Sequence, residues 1–409
     1  MKALRFCHVS TFYPPYHYGG DAVLTQAICE GLVRRGHEVT VVHSVDAYEL
    51  RSPSPAAPVV DAPGLRRVAL RSGFGSLAPV IVQQTGHPGL LRRALRRVLD
   101  APFDVVHFHN VSLIGGPGVF PMSRAPVTLY TPHDHWLMCA THVLWKNGER
   151  PCDAPTCLSC TLRSGVPPQL WRWGAHVARS LESVDCLLSP STFTAERHRA
   201  AGVTRPIRVL PSFATLPVAA PLSRPAMPRF VFAGRLVASK GIADLLAAVA
   251  SRPDFRLEVV GDGPLGPALR AQYRDAAHIT FRPSVTHDEM ASVFAGATAV
   301  VVPSWGAEVF TLTVLEAMAC GVPVIVRRAG GSAEAVERTG GGLVYDHPSE
   351  LPALLERLAT DGVFRDELAA RGRAGVIAHY GDDRWFADYL DAIEDIAASK
   401  RTPHGAGDA

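Results

Sequence analysis

The chain has 409 residues, 47% hydrophobic and 19% charged, a composition that builds cores and excludes a disordered polymer. That length exceeds what one core usually organises, so two domains are expected. A formal net charge of +3, with the arginines spread along the chain, gives no argument for a nucleic-acid partner.

The opening MKALRFCHVSTFYPP has a strand pattern over residues 4–9 and lacks the apolar core and cleavage site of a signal peptide. No apolar run reaches spanning length, so a cytoplasmic location is expected, with peripheral contact at the inner face of a membrane left open. Gly19 and Gly20 lead into a helix over 22–35, Gly36 stops it, and a strand follows over 37–43. A strand, glycine loop and helix place backbone N–H groups above a strand end, where a phosphate can sit, although the dinucleotide fingerprint spacing is absent. A tight turn that needs two glycines is the plainer alternative.

Residues 46–88 read as irregular, with a short strand near Val68. The helix over 89–99 sets Arg92, Arg93, Arg96 and Arg97 opposite Leu91, Leu95 and Val98. Two readings stay open: a face docked on anionic lipid, or the solvated face of a helix covering a sheet.

Strands over 104–109 and 127–130 each end in histidines, His107 and His109, then His133 and His135 beside Asp134. Ligands of open parallel sheets bind beyond the carboxyl ends of strands, so these imidazoles are expected in a site. Cys139, Cys152, Cys157 and Cys160 follow, with one Cys-x-x-Cys pair. A structural zinc is one reading, since close thiolates need a shared cation; reactive or disulfide-forming cysteines and unconnected thiols are the others. Cys7, Cys29, Cys186 and Cys320 fall on strand or helix patterns and read as core.

A helix over 175–183, a strand over 185–189, a helix over 192–200 and a strand over 207–210 close the first half. Residues 211–228 are proline-rich and aperiodic, which marks the domain boundary. The second half repeats the grammar: strand 230–233, loop GRLVASKG, helix 242–250, strand 256–260, loop GDGP, helix 265–274. Arg235 and Lys240 stand at a strand's carboxyl end, one fixed fork and one mobile ammonium suited to a diphosphate.

The stretch PSWGAEVFTLTVLEAMACGVP, residues 303–323, lies between apolar strands over 297–302 and 324–327, so it carries the helix of a βαβ unit. Thr311 is expected to cap that helix, and Gly321 with Pro323 to end it. The unpaired N–H groups of Leu312 and Thr313 and the helix dipole mark a place for an anion. Gly330 and Gly331, a strand over 342–345 and further helices complete the domain, and Trp385, Phe386, Tyr389 and Leu390 suit packing on another surface. The tail after Lys400 reads as disordered.

Taken together these residues resemble the retaining family 4 glycosyltransferases (glycosyl transferases group 1) of the GT-B fold. E-x7-E followed by A-M-A-x-G-x-P-V is matched from Glu308 to Val324. G-R-L-x-x-x-K-G is matched from Gly234 to Gly241, GDGP from Gly261 to Pro264, G-G-x-x-E from Gly330 to Glu334, and an early glycine pair by Gly19 and Gly20. The resemblance implies an α/β chain of two Rossmann-like doubly wound domains facing a central cleft. The acceptor-side domain would span 1–212 with the cysteine insertion at 139–160, followed by a linker at 213–228 and the nucleotide-sugar domain at 229–378. A helix at 379–400 would cross back, with the tail at 401–409.

The implied activity moves a hexosyl or N-acetylhexosaminyl group from a UDP- or GDP-sugar to a hydroxyl of a polysaccharide, lipid-linked or natural-product acceptor, with retention and no catalytic cofactor. Carried over by position, Arg235 and Lys240 hold the diphosphate and Glu316 the ribose hydroxyls. Glu308, with the backbone at Phe310, Thr311 and Leu312, holds the donor sugar, and His133 reaches that sugar. Gly20 faces the phosphate, and Gly19, Gly234, Gly261, Gly263 and Thr313 complete the nucleotide-sugar set. His109, Asp134 and His135 lie on the acceptor side. Thr311 departs from the pattern where many members have glycine, as do Pro283 and Ser284. Rival readings on the same fold are a nucleotide-sugar epimerase, a sugar phosphorylase and a silent sugar-nucleotide binding protein.

Overall fold

A computed structural model of the chain describes residues 2–50, 63–215 and 227–401. Two compact units account for it, Met1–His142 with Gly165–Pro211 and Trp385–Ala409, and Val143–Ser164 with Ser212–Arg384.

In the first unit, runs rich in Val, Leu, Phe and His form parallel strands β1 (Arg5–Val9), β2 (Glu38–Ser44), β3 (Leu65–Leu70), β4 (Val105–Phe108) and β5 (Val127–Tyr130). The insertion holds a short antiparallel pair, β6 (Trp145–Lys146) and β7 (Arg150–Pro151), and the sheet continues with β8 (Cys186–Ser189) and β9 (Ile207–Val209). The sheet order is β3-β2-β1-β4-β5-β8-β9, so chain direction across the sheet reverses between β1 and β4. The second unit repeats this with β10 (Arg229–Ala233), β11 (Arg256–Val260), β12 (Ile279–Arg282), β13 (Ala299–Val302), β14 (Val324–Arg327) and β15 (Gly342–Tyr345). Its order, β12-β11-β10-β13-β14-β15, reverses between β10 and β13. In doubly wound sheets that reversal opens a crevice at the strands' carboxyl ends, where ligands bind.

Both faces of the second sheet are covered at its centre, which is why β13 and β14 read as continuous apolar runs. Val300 and Val302 pack with Val314, Leu315 and Met318 of the helix Leu312–Ala319, while Ala299 and Val301 point to the other face, against Ile242, Leu246 and Leu355. On the first sheet, Cys7, Val9, Val106 and Phe108 join one core with Leu91, Leu95 and Leu99, whose helix leaves its four arginines exposed. Phe6, His8 and His107 point to the opposite face. There the C-terminal helix Asp382–Arg401 brings Tyr389 to a ring distance of 6.2 Å from Phe6, and its hydroxyl to 2.9 Å from His107 Nδ1.

Three expectations change. The short strand expected near Val68 is β3, but among the described residues of 46–88 the stretch is less irregular than expected, because it also holds the helix Val45–Glu49, capped by Ser44, and the helix Leu77–Thr85. Pro79 sits in the first turn of that last helix, where a missing N–H costs nothing, and its buried Ala78 and Val82 were masked by Pro, Gly and Ser neighbours. Residues 143–164 of the cysteine insertion group with the second unit, not with the first domain. Arg401 is the last residue of the C-terminal helix. The expected linker lies outside the described residues at 216–226, and the expected tail at 402–409. No helix among the described residues is long and apolar enough to cross a membrane.

Tyr389→Phe keeps the ring stack and leaves buried His107 Nδ1 without its partner. It is expected to lower unfolding free energy by about 1–3 kcal/mol, read by urea denaturation.

Candidate active site

The loop after β10 and the loop after β13 interlock beside the reversal point. Gly241 has φ +67°, and a Cβ there would lie 1.9 Å from the Pro303 carbonyl oxygen, so the loops meet only because this residue is glycine. The Ser239 carbonyl accepts the N–H groups of Trp305 and Gly306, each at 2.8 Å. This sets Lys240 Nζ 2.7 Å from Glu308 Oε1. The backbone of Glu308 is held on both sides, its N–H donating to Ala329 and its carbonyl accepting from Gly331, each at 2.8 Å. Gly330, φ +116°, permits this, since a Cβ would sit 2.2 Å from the Glu308 carbonyl oxygen.

Thr311 does not cap its helix with its side chain. Its hydroxyl donates to Glu308 Oε2 at 3.4 Å and accepts from Ser332 Oγ at 2.7 Å. The N–H groups of Leu312 and Thr313 are therefore left without a protein acceptor among the described residues. Burial opposes ionisation of Glu308, but the Lys240 charge and the hydrogen bonds to the carboxylate outweigh it, holding the carboxyl below its ordinary value. Arg235 is exposed and forms no ion pair among the described residues. Phe310 turns its ring toward Tyr380, 6.1 Å away.

Glu316 is buried further along the same helix, where Thr215 Oγ1 donates to it at 2.7 Å and His287 Nδ1 lies 3.6 Å away. Here burial dominates over those partners and raises the carboxyl above its ordinary value. In the GDGP loop, Gly261 packs against the Gly234 carbonyl and Gly263 against Leu236. The Asp262 carboxylate accepts from the Ser284 N–H at 2.7 Å and from its hydroxyl at 3.0 Å. The unusual residue after β12 thus ties two loops together. Thr215, His287 and Ser332 escaped sequence reasoning, because single hydroxyls and imidazoles in loops carry no spacing signal.

In the first unit Gly19 is extended and precedes the helix Gly20–Arg34, which also starts without a side-chain cap. His133 is half-buried and its Nε2 lies 2.8 Å from His109 Nδ1. His109 and His135 are both buried. Both turn inward, His109 beside His8 and His135 toward Phe193 and His198. Asp134 accepts from the Trp136 N–H at 2.8 Å and pairs with His142 at 2.6 Å. Burial works against its ionisation, and the His142 charge and hydrogen bond overcome that, leaving it below its ordinary value. His8 was not singled out; it is aligned with His107 across β1 and β4, a pairing that their distance apart in the chain hides.

Cys157 and Cys160 lie on the helix Cys157–Arg163, and Cys160 Sγ accepts from the Asn147 N–H at 3.3 Å. Among the described residues the group of three ligand atoms lying within 4.8 Å of one another is His8, His107 and His109, and Cys139, Cys152, Cys157 and Cys160 do not form such a group in this structure.

The sequence matches two family models, one described as "Glycosyltransferase Family 4" over residues 18–215 and one as "Glycosyl transferases group 1" over residues 227–361. The chain belongs to the family 4 glycosyltransferases. It is 33% identical over 193 residues to the D-inositol 3-phosphate glycosyltransferase of Paenarthrobacter aurescens, 44% of this chain and 47% of that one. It is likewise 33% identical over 179 residues to the GDP-mannose-dependent alpha-mannosyltransferase of Corynebacterium glutamicum, covering 42% and 41%. These matches span less than half the length of the curated relatives. A longer one, 28% over 395 residues and 88% and 86% of the two chains, is with the D-inositol 3-phosphate glycosyltransferase of Pseudarthrobacter chlorophenolicus. The fold is that of the sucrose-phosphate synthase of Thermosynechococcus elongatus, with TM-score 0.76, 20% identity and coverage of 97% and 100%. Anabaena HepE, solved in complex with UDP, follows at TM-score 0.63, 17% identity and coverage of 96% and 100%.

The raised Glu316 carboxyl makes the folded protein bind that proton more readily than the unfolded chain. Its contribution to stability is complete below the ordinary carboxyl value and is lost as pH rises through the raised one. Glu316→Gln, which does not titrate, is therefore expected to gain on the wild type over that interval in denaturation midpoints. A pH-independent difference would argue against it.

Proposed function

We propose that the protein transfers a hexosyl or N-acetylhexosaminyl group from a UDP- or GDP-sugar to an acceptor hydroxyl with retention of configuration. The observation that carries this reading is the Lys240–Glu308 contact at the reversal between β10 and β13. Exposed Arg235 belongs to the same loop as Lys240, and the helix Leu312–Ala319 that follows Glu308 in the chain starts without a side-chain cap. The names of the relatives, one an inositol phosphate glycosyltransferase and one GDP-mannose-dependent, agree with it.

The bond that breaks joins the anomeric carbon to a diphosphate oxygen, so negative charge grows on the departing diphosphate. Lys240, Arg235 and the N–H groups of Leu312 and Thr313 stabilise that charge where it develops. Without ligand, Lys240 is already neutralised by Glu308, so the diphosphate shares a cation held in place beforehand. Glu308 stays ionised because its carboxyl lies below the ordinary value, and an ionised carboxylate accepts hydrogen bonds from sugar hydroxyls. Glu316 takes the ribose hydroxyls, and His133 the donor sugar. The departing diphosphate itself accepts the proton of the acceptor hydroxyl, so no side-chain base is needed and no cofactor enters. Polysaccharide, lipid-linked and natural-product hydroxyls are the acceptors in view.

The test incubates the protein with UDP- and GDP-sugars and an acceptor panel, following nucleoside diphosphate release and the product anomer by NMR. Lys240→Ala and Arg235→Ala are each expected to lower kcat by about 10²–10³-fold with circular dichroism unchanged. Wild-type rates in both would sink the diphosphate assignment. Tight donor binding with no release from any pair would favour a silent binding protein.

A further inference from the structure

The first sheet carries a row of imidazoles at its own reversal point. His8 Nδ1 lies 2.9 Å from His109 Nε2, and His109 Nδ1 lies 2.8 Å from His133 Nε2. The rings stack along this row, with centroids 5.2 and 5.1 Å apart. His8 and His109 have no exposed surface, whereas His133 is half-buried. At the closed end His8 Nε2 is buried and has no hydrogen-bond partner.

We infer that His8 and His109 are positioning residues that hold His133 as the neutral Nδ1–H tautomer, so that a hydrogen-bond donor stands at the open end of the row. The inference rests on the reading above only for which ligand group receives that donor.

A neutral imidazole has one N–H and one lone pair. Two ring-to-ring bonds in a row of three neutral rings therefore force all the donors to point the same way. If they point inward, His8 Nε2 carries a buried N–H with no acceptor. If they point outward, His8 Nε2 keeps a bare lone pair, His8 Nδ1–H donates to His109, His109 Nδ1–H donates to His133, and His133 Nδ1–H faces out. Buried orphan N–H groups are the rarer and more costly kind, which selects the outward direction.

Burial holds the His133 imidazole below its ordinary value, against the opposing charges of Asp21 and Asp134. All the rings stay neutral, because burial and mutual repulsion oppose imidazolium; burial takes His8 down to about 3. His107 lies beside the row, 4.1 Å from His109 between ring centres, but its own nitrogens are taken by Tyr389 and Thr131. A metal ion shared by His8, His107 and His109 would have to displace these hydrogen bonds, since only His8 Nε2 lacks one.

The experiment is a long-range proton–nitrogen correlation spectrum of ¹⁵N-histidine-labelled, ligand-free full chain at pH 7, with His133 assigned from His133→Gln. The expected result is a protonated Nδ1 and a bare Nε2 on His133. His8→Phe keeps a ring but removes the donor to His109, and should convert the His133 signals to a tautomer average. His8→Asn, whose amide can stand where Nδ1 was, should restore the single form. A His133 found as the Nε2–H form or as imidazolium in the wild type overturns the inference, and this holds even if His8→Phe fails to fold. An unchanged single tautomer in folded His8→Phe, or one equivalent of metal bound to the wild type, overturns it too. Because no ligand is needed, the Nδ1–H form in a protein that turns over no nucleotide sugar would support the inference and count only against the proposed function.

Discussion

The charge on Glu308 is the constraint around which the second unit is arranged. A carboxylate at this depth persists only if its environment replaces the water it has lost, and three loops supply that replacement. The loop after β10 brings the Lys240 ammonium, the helix start brings the Thr311 hydroxyl, and the loop after β14 clamps the Glu308 backbone from both sides. Neither clamp could close with a side chain at Gly241 or Gly330. The two glycines and the ion pair are therefore one device, in which backbones approach closely so that two side chains can meet.

The two sheets share a topology but treat buried polarity in opposite ways. At the β10/β13 reversal an acid and a base compensate each other and both stay charged, which suits a place that receives an anion. At the β1/β4 reversal no acid is inserted among His8, His107 and His109, so burial leaves them uncharged and hydrogen bonds carry all the order. A charged site can share its cation with a ligand, whereas a neutral row can only orient a donor or an acceptor. Glu316 stands between these cases: it is acidic but buried against one hydroxyl and a histidine 3.6 Å away, too little to hold its carboxyl at the ordinary value.

Much of the fold was legible in the amino-acid order because its signals are local. Apolar runs such as residues 297–302 and 324–327 have the length of strands buried on both faces, and Gly321 with Pro323 stops the helix between them wherever that segment is placed. The loops with chemistry were readable for the same reason, as Arg235, Lys240, Glu308 and the glycine pairs each follow a strand. The helix Leu77–Thr85 was missed because its Pro and its flanking Gly and Ser resemble a loop until Ala78 and Val82 are seen to be buried.

The sequence by itself determined the two alternating α/β halves, the family and the loops that face the carboxyl ends of the strands, since these depend on residues within one turn or one strand of each other. The partners were decided only by the tertiary structure. Thr311 bonds to Glu308 and Ser332 instead of capping its helix, Ser284 joins Asp262, and Thr215 reaches Glu316. His8 meets His109 through the parallel register of β1 and β4. Such contacts join residues far apart in the chain, and a hydroxyl or an imidazole has no periodic pattern to reveal which of many neighbours it will meet once the sheet closes.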